Sequence, residues 1–160
     1  FGVGYVMPAM WFDLNKSERR SFLSTLFWTS FGFTILSILL VTPLYKWVFA
    51  LLANDSADVI ISLYPWMVLS VFSQFLVPVY SNWIVMTERS KLFMKVKLLD
   101  LMISTGIMVF LIVYTQNVAF VIIGSCLVIV VLNVIRLLIL LPHISFVFNQ
   151  SYFRETIKVG

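Results

Sequence analysis

The stretch LMISTGIMVFLIVYTQNVAFVIIGSCLVIVVLNVI, residues 101–135, runs for 35 residues without an Asp, Glu, Lys or Arg. A helix needs only about 20 apolar residues to cross roughly 30 Å of hydrocarbon. The triplet TQN at 115–117 breaks the stretch near its middle. We read it as most of two spanning helices, about 98–114 and 118–141, the second stopped by Pro142. So short a link forces the two into an antiparallel hairpin.

Working outward, two further runs carry no charge: 21–45, of 25 residues, and 59–87, of 29. They give spans at about 21–42 and 66–86. Ser21 is placed as a helix cap, and Pro43 disfavours helix in the residue before it. Pro65 falls in the first turn of the second predicted span, where proline is tolerated. Pro78 falls inside that span and predicts a kink. Residues 1–12, FGVGYVMPAMWF, are apolar but too short to cross, and read as the end of a truncated helix. The tail 143–160 reads either as an interfacial helix or as the start of another span.

The fold class is therefore all-α: a polytopic transmembrane bundle of four full spans, a single domain over 1–160 that forms a fragment of a larger transporter. Composition agrees. Hydrophobic residues make up 61% of the chain and charged residues 11%. Soluble domains carry about 25% charged residues, so a water-soluble or disordered chain is excluded. The net charge of +4 is a topology signal rather than a sign of nucleic acid as partner. Lys16, Arg19, Arg20, Arg89, Lys91, Lys95, Lys97, Arg154 and Lys158 all fall in alternate connections. These basic loops are placed in the cytoplasm, and 48–64 and 115–117 outside. Tyr45, Trp47, Tyr64, Trp66 and Tyr114 then mark the outer interface, and Trp11, Tyr80 and Trp83 the inner one.

Chemistry is sparse. With one histidine, His143, and one cysteine, Cys126, there is no material for a bis-His haem site, a Cys-based metal site or an intrachain disulfide. No cofactor, metal or catalytic group is expected. At about 100° per residue, Ser62, Trp66, Ser70, Ser73, Gln74, Tyr80 and Ser81 share one arc of the second span. That arc is either a packing face or the wall of a hydrated cavity. The first span has two opposed polar faces, Ser21, Thr25, Thr29 and Gly32 against Ser30, Thr34 and Ser37. It therefore needs neighbours on both sides, which points to a larger protein. Ser125, Cys126, Asn133 and Arg136 share a face of the fourth span. Arg136 could snorkel to the headgroups, face an anionic ligand, or pair with Asp100. Counted from Gln116, Asp100 is 16 residues back (116 − 100) and Arg136 is 20 on (136 − 116). The two depths, roughly 24 and 30 Å, differ by about 6 Å, within reach of an arginine. Ser70, Ser73, Gln74, Ser81, Asn133 and Arg136 are the cavity-lining candidates, and Asp100 with Arg136 the structural ion-pair candidate.

The succession resembles the polysaccharide flippases of the MOP exporter superfamily, bacterial inner-membrane proteins of the O-antigen flippase type. GVGYVMPAM ends a helix before the short charged loop DLNKSERR. A long helix, FLSTLFWTSFGFTILSILLVTPLY, follows. Another ends in the basic loop of VYSNWIVMTERSKLFMKVK, and a tight helical hairpin closes the segment. On this resemblance the chain covers the end of helix two through helix six. The resemblance implies translocation of a lipid-linked oligosaccharide by alternating access, coupled to an ion gradient. It also implies polar and basic residues facing a central cavity, a role Gln74 and Arg136 could fill. The implied partners are membrane lipids, the lipid-linked glycan and the remaining helices of the same transporter. Two other functions compete. A lipid-carrier glycosyltransferase would need acidic or His-bearing loops, and a small four-helix scaffold or interaction protein would need a complete chain.

Overall fold

A computed structural model describes residues 7–8, 10–45, 47–48, 51, 57–87 and 90–159. Arg89, used above as a loop signal, residues 1–6 and 9 of the N-terminal segment and much of the 48–64 connection lie outside the described residues. The described residues contain helices and turns and no strand. The all-α expectation holds, with four helices long and apolar enough to cross a membrane: Lys16–Val41, Ile61–Met86, Lys91–Thr115 and Val118–His143.

Helix α1 spans Lys16–Val41 and begins five residues before the expected Ser21. Asn15, in extended backbone, stands at its cap, and its own N–H donates to the Glu18 carboxylate at 2.8 Å. An Asn three residues before Glu is a helix-start pattern, and Lys, Glu and Arg favour helix once started. The charged segment is thus the first turn of the spanning helix rather than a loop. Likewise the helix after the second loop begins at Ser90, eight residues before 98, so the basic residues 91–97 extend α4, Ser90–Thr115.

The second span is built from α2, Ala57–Ser73, and α3, Leu76–Met86. Pro65 lies inside α2 and not in its first turn. The break at Gln74–Phe75 is the kink expected from Pro78. Proline has no N–H to give the carbonyl four residues back, which here belongs to Gln74. The Val77 N–H takes that carbonyl instead at 3.0 Å, and the Gln74 N–H donates to Val71 at 3.1 Å. Both bonds reach back three residues, so the helix tightens locally and changes rotation.

The hairpin turn follows the sequence closely. Gln116 has φ 49°, and the Asn117 side chain accepts from the Ala119 N–H at 2.9 Å to start α5, Val118–Leu140. A single 3-10 turn over Leu141–His143 then ends that span. Helix α5 is central and packs against α2, α4 and α3. Helix α1 packs on α3 and, more lightly, on α2.

The tail forms a short helix α6, Gln150–Val159, laid against α1. The Tyr152 ring meets Phe22 edge-on at 5.4 Å. Burial, then the nearby Glu18 and Glu155 charges, push the Tyr152 phenol above its ordinary 10.0. The linking residues also dock on α1. The Ser145 N–H donates to Ser24 Oγ at 2.8 Å and the Asn149 N–H to Thr25 Oγ1 at 3.0 Å. So α1 does have neighbours on opposed faces, as its polar pattern required, but this chain supplies them itself. Residues 145–153 meet the Ser24–Thr25 side, while Thr34 and Ser37 face α2 across a groove.

The core is concentrated at the end where α1 begins. Met7, Trp11, Phe22, Leu26, Val79, Trp83, Ile84 and Leu140 are buried together there. Trp11, Tyr80 and Trp83, expected in the inner interfacial belt, are at most 4% exposed and belong to this core. Phe27, Phe31, Phe72 and Phe75 continue it along the α1–α2 contact with centroids 5.3–5.5 Å apart for the closest pairs. At the other end Tyr45 and Tyr64 stack at 3.7 Å. By contrast, none of the most apolar window of α4 is buried. An apolar helix left uncovered by protein is what lipid solvates.

Candidate functional site

Polar side chains from three helices meet around Arg136. Its Nη2 donates to Asp100 Oδ2 on α4, forming an ion pair with side chains 11% and 15% exposed. Its Nη1 donates to Asn133 Oδ1, one helical turn back on α5. The Asn133 Nδ2 donates across to Ser73 Oγ on α2 at 2.9 Å. Ser73 Oγ in turn donates to the Ser70 carbonyl, and Ser70 Oγ to that of Met67, each at 2.8 Å. The result is one directed chain of donors, from a cation to a backbone carbonyl, that ties α4, α5 and α2 together.

The local reasons are visible in sequence. Asn133 and Arg136 are three apart on a helix and therefore share a face. Asn133 is fully buried, where an amide without partners would cost about 1–3 kcal/mol. Both ends of that amide are satisfied. Of the three roles left open for Arg136, the pair with Asp100 is the one formed. The Asp100 carbonyl, on the same residue, accepts the Ser104 hydroxyl. Tyr80 on α3 stands near enough to feel both charges. Its hydroxyl is buried and is one of three such side-chain groups, with Thr29 and Ser30, that have no hydrogen-bond partner among the described residues.

The single polar arc expected on the second span divides. Ser73 faces α5 and Ser70 is buried on the same helix, whereas Gln74 is exposed and lines a groove of about 500 Å3 between α1 and α2. Thr34, Ser37 and Tyr64 line the same groove. The tightened turn at Gln74 is the cause, because a fixed 100° step does not carry through a proline break. Ser81, half-buried on α3, joins none of the bonds of the Arg136 chain. Ser73 as the partner of Asn133 could not be read from sequence: the two are 60 residues apart.

Among the described residues, no three His, Cys, Asp or Glu side chains gather as a metal site requires. The His143 ring lies against Trp83 with centroids 4.8 Å apart. Comparison with protein-family models, with curated proteins and with solved structures gives no match. The class therefore rests on the fold itself, four apolar helices with a buried polar chain between three of them: a multi-pass α-helical membrane protein.

Proposed function

We propose that this chain belongs to a transporter that moves a lipid-linked oligosaccharide across the bacterial inner membrane by alternating access, as polysaccharide flippases do. The observation that carries the reading is the Asp100–Arg136–Asn133–Ser73 chain. Ionisable residues inside a membrane are expensive, and as a rule they mark pathways and relays. An apolar core would hold four helices together at less cost than a buried ion pair. The proline break at Gln74–Phe75 adds a hinge beside the chain, the kind of element that rigid-body gating uses. Asp100 is already engaged by arginine, which favours a carrier over an enzyme. The basic end is placed in the cytoplasm on the positive-inside rule. The transported glycolipid and the remaining helices of the transporter are the partners this reading requires.

The test is made in cells that assemble a surface polysaccharide through the intact protein. Its deletion should leave lipid-linked oligosaccharide on the leaflet where it is made. Ser73→Ala, which removes the hydroxyl between α2 and α5, should slow export severalfold at near-normal protein level, and Gln74→Leu should also weaken it. Normal surface polysaccharide in the deletion strain, with no redundant transporter, would overturn the proposal.

A further inference from the structure

At the end of the bundle where α1 begins, a cleft of about 860 Å3 opens between the first turns of α1, the end of α3 and the turn after α5. Lys16, Arg19, Arg20 and His143 line it together with Trp11 and Trp83. Lys and Arg are charged at any physiological pH. Among the described residues, no carboxylate lines the cleft and none pairs with Lys16, Arg19 or Arg20. The one acid of that helical turn, Glu18, is turned back onto the Asn15 N–H.

Two of these cations are held rather than loose. Arg19 Nε donates to the Trp11 carbonyl at 3.0 Å, and its guanidinium lies 5.5 Å from the Trp11 ring centre. Arg20 Nη2 reaches the Ile144 carbonyl at 3.5 Å. A topology signal needs only cations somewhere on the correct side, which exposed Lys91, Lys95 and Lys97 of α4 already provide. It does not need three cations brought into one concavity closed by Pro142 and His143 from the far end of the chain. Like charges gathered with no counter-ion among the described residues focus a positive field and favour an anion. The buried Trp11 and Trp83 rings give the cleft an apolar floor beneath these cations. The volume falls within the range of small-molecule sites, well above what a bare ion needs.

We infer that this cleft binds the phosphate group of a lipid headgroup, a phosphodiester or pyrophosphate held by Lys16, Arg19 and Arg20 above the Trp11 and Trp83 floor. Such a site would serve whatever the cargo is, so its test is separate from that of transport.

The full chain, purified in detergent, is offered phosphatidylglycerol or phosphatidylcholine, and the retained lipid is counted by native mass spectrometry. Phosphatidylglycerol should be preferred, and Lys16→Gln with Arg20→Gln should weaken its retention roughly tenfold. Lys91→Gln with Lys95→Gln, equal in charge removed but outside the cleft, should change it little. Thermal unfolding of both double variants reports whether either has lost its fold; Lys16→Gln alone serves if the pair has. Displacement by inorganic pyrophosphate would assign recognition to the phosphate itself. Retention in its presence would assign it to the headgroup within its lipid. Equal retention of the two lipids, or equal losses in the two double variants, would overturn the inference.

Discussion

Arg136 gives one guanidinium nitrogen to a carboxylate and another to an amide, which leaves it neutralised by Asp100 and oriented by Asn133. Each charge alone in the span would cost about 1–3 kcal/mol, less toward the interface. Removing one partner strands the other, so the pair should be strongly non-additive. Asp100→Asn and Arg136→Gln should each lower the unfolding temperature of the detergent-solubilised chain. The double substitution should recover part of the loss, because no uncompensated charge remains. Strictly additive shifts would show that the two residues act independently. The i, i+3 spacing of Asn133 and Arg136 and the matched depth of Asp100 made this pair readable from sequence. Ser73 was placed on a polar arc, but the amide it meets was not, because nothing in the local pattern encodes a contact 60 residues away.

Between elements, the α4–α5 hairpin is set by its turn and by one glycine. A Cβ on Gly124 would stand 2.2 Å from Leu111 Cδ1, the far end of a flexible side chain. Gly124→Ala should therefore be absorbed by a Leu111 rotation with little loss. Gly124→Leu should wedge α4 from α5 and cost about 1–3 kcal/mol, the usual range for overpacking. Gly106, on α4, has nothing within 4 Å of such a Cβ. Gly106→Ala should be neutral or stabilise by up to about 1 kcal/mol, through lower chain entropy in the helix. Thermal unfolding of the three variants in one detergent checks the ranking; a costly Gly106→Ala would show that α4 is covered there in the working protein. The same scale explains the two early helix starts. Charge marks where the bilayer ends, but a helix with good formers and a cap continues past that point, as Lys16–Arg20 and Ser90–Lys97 do.

At the scale of the molecule, the described loop cations collect at the end where α1 and α4 begin, and the opposite hairpin turn carries none. Single cysteines at Asn117, Lys91 and Ser151, all exposed positions, test the orientation in a Cys126→Ala background. An impermeant thiol reagent added to intact cells should label Asn117→Cys and spare Lys91→Cys and Ser151→Cys. Labelling at Lys91 would invert the orientation drawn from the positive-inside rule. The sequence by itself determined the spans, the hairpin and the kink, because each depends on hydrophobic length, a three-residue link or a missing N–H, all local quantities. It also announced that α1 needs neighbours on both faces. Only the tertiary structure decided that residues 145–153 are one of those neighbours, that the polar arc of the second span divides at Gln74, and that the Trp11 and Trp83 rings are core. It alone decided that Lys16, Arg19 and Arg20 share a cleft with His143. Those outcomes depend on which helix lies beside which. In an apolar solvent that neighbourhood is selected by packing and by a few long-range hydrogen bonds, which leave no periodic trace along the chain.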